Sequence, residues 1–267
     1  MRIGYFGEPG AYSNIAAINM HEGRDIPLQS VRSVFMELQN GNIDYGVVPV
    51  ENSIEGSVNQ TYDYLYKMPF YIVKEYYLRI QHCLIGSEDS SIENIKYAHS
   101  HPQALAQCSD FLFNKNIIPV NEYDTAGSAL IIKKLDIAHA AIASEMAAKI
   151  YNMKILARDI ENNRYNYTRF IMISKNPEKA SGRVKTSIVF STPNIPGALF
   201  NILKILNRYG INMSRIESRP VDFTPFNYIF FIDFENNNNY LQAISDMKNA
   251  TVSFKEIGTY PVAIISK

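Results

Sequence analysis

Arg2-Ile3-Gly4-Tyr5-Phe6-Gly7-Glu8-Pro9-Gly10-Ala11-Tyr12-Ser13 opens the chain, and its pattern decides the fold of the first 170 or so residues. Apolar Ile3 to Phe6 reads as a short buried strand. The Gly/Pro segment after it is a tight turn, and an amphipathic stretch from Ser13 to Met20 reads as a helix. The same alternation runs outward to about Ser174, with strands expected at Tyr45 to Val50, Lys96 to Ser100, Ile118 to Asn121, Ala140 to Ala143 and Phe170 to Ile173. Helices are expected between them, at Val31 to Gln39, Gln60 to Tyr66, Pro102 to Phe113, Gly127 to Leu135 and Glu145 to Tyr151. This is the rhythm of βα units around mostly parallel sheets. Tyr71 to Ile85 is β-rich and carries no helix, which implies that the chain crosses there between two sub-sheets and leaves a cleft.

Beyond Lys175 the sequence turns polar, with Pro177, Ser181 and Gly182, as a linker does. The predicted division is 1–175, a linker at 176–185, and a second domain at 186–267. That second domain reads strand, helix, strand, strand, helix, strand: the ferredoxin-like βαββαβ unit. Its first helix, Gly197 to Tyr209, carries Leu199, Ile202, Leu203 and Leu206 on one face and stops at Gly210. Asn236 to Asn239 reads as an exposed loop.

The 267 residues are 46% apolar and 19% charged, the latter below the roughly 25% of an average soluble protein. That excludes a disordered chain. Twenty-six basic residues balance 26 acidic ones, so the electrostatic footprint of a nucleic-acid binder is missing. Cys83 and Cys108 are too few for a disulfide framework and read as free thiols in a reducing compartment. No segment is long and apolar enough for a signal peptide or a membrane span, so the expectation is a cytoplasmic protein with no membrane partner.

Loops after parallel strands collect ligands. In the first of them, Ser13 caps the following helix or helps hold an anion; the glycine spacing is not that of a dinucleotide fingerprint. The second, Val48-Pro49-Val50-Glu51-Asn52-Ser53, is dense in polar groups that either cap a helix or hold a small polar molecule. The third is Ser100-His101-Pro102-Gln103, where Ser100 or His101 is the N-cap and Pro102 suits the first helical turn. His99 and His101 share metal-ligand spacing, but no Cys or acidic partner lies near them in sequence, so capping and packing are the preferred reading. His21 and His139 offer no constellation. Thr168 and Arg169 begin a β-like run that would otherwise pass for a solvated strand edge.

Phe6-Gly7-x-x-Gly10 with Ser13, Val48-Pro49-Val50-Glu51-Asn52-Ser53, Ser100-His101-Pro102-Gln103-Ala104-Leu105 and Asn166-x-Thr168-Arg169-Phe170 together resemble prephenate dehydratase. Pro196-Gly197-Ala198-Leu199 and Glu217-Ser218-Arg219-Pro220 resemble the motifs of the ACT regulatory domain that follows the catalytic domain in that family. The motifs occur in order along nearly the whole chain. Ala11 and Tyr12 depart from the family's usual Thr and Phe. The chain begins at the first catalytic strand, without the chorismate mutase domain of some relatives, and is read as monofunctional.

The resemblance implies two α/β lobes like a type II periplasmic binding protein, with the substrate in the interlobe cleft. It also implies loss of water and carbon dioxide from prephenate to give phenylpyruvate, with no metal or organic cofactor. Thr168 is the expected catalytic residue, hydrogen-bonding the departing hydroxyl because a threonine is too weak an acid to transfer its proton outright. Glu51 shares that role only if burial keeps it protonated. Arg169 offers a bidentate fork for a carboxylate. Ser13, Asn52, Ser53, Ser100, His101, Gln103 and Phe170 complete the expected substrate site. Adjacent Thr168 and Arg169 can share one cleft only if the strand bends between them.

Phenylalanine is the expected effector, bound by Gly197, Ala198, Leu199 and Glu217, Ser218, Arg219, Pro220. Gly197 would open backbone N–H groups to its carboxylate. A homodimer or homotetramer is expected because ACT domains pair. The competing readings are arogenate dehydratase and a non-catalytic cytoplasmic amino-acid sensor.

Overall fold

The structure is a computed structural model and describes residues 1–220 and 228–265. The chain starts with β1 (Arg2–Phe6), α1 (Tyr12–Met20), β2 (Arg24–Leu28), α2 (Val31–Asn40), β3 (Tyr45–Asn52), the short β4 (Gly56–Ser57), α3 (Asn59–Lys67) and β5 (Tyr71–Arg79). It continues through β6 (Cys83–Gly86), β7 (Tyr97–Ser100), α4 (Pro102–Gln107), α5 (Ser109–Asn114), β8 (Ile118–Asn121), α6 (Gly127–Ile132), β9 (His139–Ala143), α7 (Glu145–Tyr151) and β10 (Lys154–Ala157). The long strand β11 (Tyr167–Ser174) comes next.

These strands form two sheets, ordered β2-β1-β3-β11-β5, with β4 on β3, and β10-β6-β9-β7-β8. The expected crossing at Tyr71 to Ile85 is the step from β5 in the first sheet to β6 in the second, and β11 brings the chain back. β1 pairs in parallel with β2 and β3, and β7 with β8 and β9, so the loops after β1, β7 and β8 leave strand C-terminal ends. A core of Leu84, Ala98, Leu105, Cys108 and Ile142 holds the second sheet to α4 and α5.

Three local features differ from the sequence expectation. β2 and β10 are additional strands: each is a short strand at a sheet edge, where Pro27 of β2 needs no ladder N–H. The helix expected over Pro102 to Phe113 is divided at Cys108, whose φ of −112° and ψ of 14° leave the α region.

The C-terminal sheet is built from β12 (Val184–Ser191), α8 (Ala198–Arg208), β13 (Met213–Pro220), β14 (Tyr228–Glu235), α9 (Tyr240–Ala250) and β15 (Ser253–Pro261). Its order β13-β14-β12-β15, antiparallel throughout, is the expected βαββαβ arrangement. Ile202, Ile205 and Leu206 of α8 meet Ala243, Ile244 and Met247 of α9 over Ile188, Phe190, Ile232 and Phe234 of the sheet.

Compactness divides the chain into two units: Met1–Tyr62 with Tyr76–Met172, and Asp63–Glu75 with Ile173–Ile264. The second therefore includes a segment far from it in sequence. Three contacts inside that unit show why. Lys255 Nζ donates to the carbonyls of Leu65 and Met68 at 2.7 and 2.6 Å, closing the C-terminal end of α3. Lys185 Nζ lies 2.8 and 3.0 Å from the two carboxylate oxygens of buried Glu75. Gly258 passes so close to β5 that a Cβ would sit 2.2 Å from the Ile72 carbonyl oxygen, which only glycine permits.

Candidate active site

In the first unit the loops after β1, β7 and β8 converge with β3 and β11 around a cleft. One cavity of about 180 Å³ is lined by residues that include Phe6, Tyr12, Ser13, Asp124 and Phe170. An adjoining one of about 100 Å³ is lined by Asn52, His82, Gln107 and Thr168 among others. Tyr12, His101, Gln103 and Thr125 border both, so the two form one continuous space.

Thr168 is reached through a chain of amides whose orientations are fixed from one end. Asn52 Oδ1 accepts the backbone N–H groups of Ile54 and Glu55 at 3.0 and 3.1 Å, so its Nδ2 faces the other way. That Nδ2 donates to Asn166 Oδ1 at 2.7 Å and to Thr168 Oγ1 at 2.9 Å. Asn166 Nδ2 then donates to Gln107 Oε1 at 2.9 Å, and Gln107 Nε2 to Glu55 Oε1 at 3.0 Å. Asn52, Asn166 and Thr168 are 7%, 0% and 9% exposed, a depth at which unmade hydrogen bonds would be costly. Because Thr168 Oγ1 already accepts, its own proton is left to donate toward the cavity it borders.

The expected site residues separate into groups. Thr168, Asn52, His101, Gln103, Ser13 and Phe170 border the cleft. His101 is the N-cap of α4, its Nδ1 accepting the Gln103 N–H at 3.2 Å. Ser13 donates its hydroxyl to the Phe6 carbonyl, and Ser100 Oγ donates to Ile142 O at 2.7 Å from full burial, so both hydroxyl protons serve the backbone. Ser53 Oγ joins the Tyr165 carbonyl to the Tyr167 N–H, each at 2.9 Å, and fixes the start of β11. Glu51 is half-buried at the β3–β4 pairing. Arg169 is 4% exposed and, by strand alternation, lies on the face of β11 away from Thr168 and Phe170; neither cavity is lined by it.

Two histidine readings also change. Local sequence shows no acidic partner for His99, yet Glu122 Oε1 stands 2.8 Å from its Nδ1. His139, which has no constellation in sequence, places Nδ1 2.8 Å from His99 Nε2 and stacks on Tyr97 with ring centroids 4.8 Å apart. Both rings therefore tie the second sheet together. Sequence reasoning misses His82 and Gln107. Gln107 comes one helical turn after Gln103, a spacing that signals a shared face; nothing local marks His82.

The prephenate dehydratase family profile matches residues 3–178, and the ACT domain profile residues 186–251. This chain belongs to the prephenate dehydratase family. Its activity is that of a prephenate dehydratase, a lyase, carried with an ACT domain. The bifunctional chorismate mutase/prephenate dehydratase of Aquifex aeolicus is 36% identical over 100% of this chain and 75% of its own length. An arogenate dehydratase/prephenate dehydratase of Arabidopsis thaliana is 36% identical over 98% of this chain and 73% of its own. Among solved structures, prephenate dehydratase from Arthrobacter aurescens in complex with L-Phe superposes with a TM-score of 0.90 at 28% identity, covering 100% of this chain and 93% of that one.

In the ACT domain, Gly197 is the exposed N-cap of α8 with a φ of 81°, the left-handed region that favours glycine. The Ala198 N–H is engaged by Ile195 O at 3.2 Å, which leaves fewer open donors than the sequence suggests. Leu199 packs partly against the domain core. On β13, Glu217 accepts from Arg215 at 3.3 Å, Arg219 pairs with Asp63 at 3.0 Å, and Ser218 and Pro220 are exposed.

Proposed function

We propose that the cleft bordered by Thr168 converts prephenate to phenylpyruvate, with the Thr168 hydroxyl donating to the leaving oxygen. The bond from the ring to its carboxylate breaks and releases carbon dioxide. Its electron pair completes the aromatic ring as the ring C–O bond breaks heterolytically, and one proton turns the departing hydroxide into water. A hydroxide leaving group needs a hydrogen bond that strengthens as charge develops, and a hydroxyl that accepts from Asn52 keeps its own proton available for that task. The observation carrying this reading is the Asn52 Nδ2 to Thr168 Oγ1 bond at 2.9 Å beside the cavity.

Gln103 positions the substrate, Asn52 acts on it through Thr168, and Phe170 offers its ring an apolar wall. L-Phenylalanine is the effector, bound by the ACT domain around Gly197, Ala198, Leu199 and the Glu217 to Pro220 strand end. The complex formed by the Arthrobacter aurescens relative supports this. The protein works in the cytoplasm, which two buried unpaired thiols, Cys83 and Cys108, favour. It works as a homodimer or homotetramer, favoured by exposed apolar Phe200 and Leu241, each 63% exposed, on the ACT helices.

Ultraviolet detection of phenylpyruvate formed from prephenate, beside detection of phenylalanine formed from arogenate, tests the substrate. Turnover of arogenate alone would replace prephenate by its amino analogue, and turnover of neither would leave the amino-acid sensor.

A further inference from the structure

We infer that His82 is a positioning residue of the cleft, held as an imidazolium whose two N–H groups fix Tyr12 on one side and the Gln107-Asn166-Asn52-Thr168 chain on the other. The inference rests on the cleft being the site of dehydration. Its protons can be counted. Gln107 gives its Nε2 to a carboxylate that can only accept, and takes the Asn166 amide on its Oε1. The group 3.0 Å from that Oε1 on the other side, His82 Nε2, must therefore carry a hydrogen.

The opposite nitrogen completes the count. His82 Nδ1 is 2.9 Å from Tyr12 Oη, and Tyr12 Oη is 2.8 Å from the Gln81 carbonyl oxygen. The phenol has one proton. If it goes to a neutral His82, the Gln81 carbonyl faces a lone pair at hydrogen-bonding distance. If His82 is protonated on Nδ1 as well, that N–H meets the phenol oxygen, the phenol proton meets Gln81, and every contact is satisfied. The rings meet edge to face, with centroids 5.5 Å apart and planes at 83°.

The surroundings divide over this charge. His82 is 2% exposed, and burial, the largest influence, leaves its pKa below the ordinary histidine value although the Gln107 bond and the Glu161 carboxylate raise it, so the hydrogen-bond count asks for the charge against burial. Glu161 accepts the His82 backbone N–H at 2.9 Å and lies 3.6 Å from Arg79. Of the other titratable neighbours, burial pushes the Tyr12 phenol well up and the Cys83 thiol up to about 11, so neither competes as an anion near neutrality; Cys108 is pushed up likewise. Gln81 Nε2 binds Asp159 at 2.8 Å, and the Gln81 oxygen that meets Tyr12 is its main-chain carbonyl.

A protonated His82 has a use here. Among the described residues neither Lys nor Arg lines the two cavities, so His82 and His101 are their cation-forming side chains, in a cleft whose substrate carries two carboxylates. The imidazolium also anchors the Gln107 end of the amide chain that runs through Asn166 to Asn52 and Thr168. The competent state is therefore present below the His82 pKa and is lost as pH rises through it.

The test uses the full-length protein labelled with 15N-histidine, the His82 signals being assigned from a His82→Gln variant. Both ring nitrogens should be protonated at low pH, and the titration that removes one should coincide with the alkaline limb of kcat/KM for prephenate. Tyr12→Phe removes the acceptor of Nδ1–H and should lower both by about one pH unit, since a hydrogen bond to a charged donor is lost. His82→Gln, which can still donate to Gln107, should fall about tenfold or more in kcat and lose that limb. A single protonated nitrogen across the working range, or an alkaline limb unmoved in Tyr12→Phe, would overturn the inference. If His82→Gln does not fold, the His82 signals are assigned by replacing the other four histidines, His21, His99, His101 and His139, one at a time, and the wild-type and Tyr12→Phe titrations decide. Wild-type protein without turnover would strike the dehydration reading instead, with the nitrogen titration still reporting on His82.

Discussion

Two buried polar clusters, one in each unit, are built to opposite ends. In the C-terminal unit, Lys185 and Glu75 pair with side chains 5% and 0% exposed, and Ser187 bridges the Asp233 carboxylate and the Tyr260 hydroxyl, the latter at 2.5 Å. In the catalytic unit, Asn52, Asn166, Gln107 and Thr168 form a neutral chain in which Thr168 accepts and keeps its proton for the cleft. The first cluster is charged and joins β5 to the ACT sheet. The second is built of neutral side chains, with the Glu55 carboxylate and His82 at its Gln107 end, and it borders a cavity. Burial and satisfied hydrogen bonds describe both; what marks the site is one spare donor beside open space.

The comparison breaks most sharply at Thr168. Replacing it by Val keeps the shape and removes the donor, and should lower kcat about 10²- to 10⁴-fold with little change in KM. Phenylpyruvate formation at saturating prephenate measures this, and a wild-type kcat would remove Thr168 from the chemistry. The charged cluster should respond in stability instead. Glu75→Gln leaves Lys185 buried without its carboxylate and should cost about 3–5 kcal/mol in urea unfolding. The double change Lys185→Met with Glu75→Leu should recover most of that loss, and a single-variant cost below about 1 kcal/mol would mean that the pair is solvated in solution.

A smaller effect is expected at Gly197. Its φ of 81° makes Gly197→Val strained, by about 1–3 kcal/mol for a side chain in that region, so phenylalanine affinity by calorimetry should fall roughly tenfold or more. Unchanged binding would place the effector elsewhere. Ser100→Ala should do least. Its hydroxyl donates to the Ile142 carbonyl, so the loss should appear as about 1 kcal/mol of stability with kcat and KM nearly intact. A tenfold rise in KM at unchanged stability would return Ser100 to the substrate.

Much of the fold was legible because periodicity is local. The alternation before Ser174, the Leu199–Leu206 stripe and the βαββαβ order each sit within a few turns of chain, and all reappear in the structure. Edge strand Arg24–Leu28 escaped because Pro27 and half-exposed polar residues blur a period of two. Membership of Asp63–Glu75 in the C-terminal unit escaped because its ties, Lys185 to Glu75 and Lys255 to Leu65, span more than a hundred residues. The site was legible where family motifs named it. His82 and Gln107 lay outside those motifs, and their partners on α1 and beside β11 are visible only after folding.

The most direct measurement is the kcat of Asn52→Asp on prephenate at saturation. Aspartate keeps the acceptor for the Ile54 and Glu55 N–H groups but offers Thr168 a second acceptor in place of the donating Nδ2, so the threonine proton is drawn away from the cleft. With the fold intact by circular dichroism, kcat should fall nearly as far as in Thr168→Val. A folded Asn52→Asp variant turning over prephenate at the wild-type kcat would contradict the assignment of Thr168 as the donor set by Asn52.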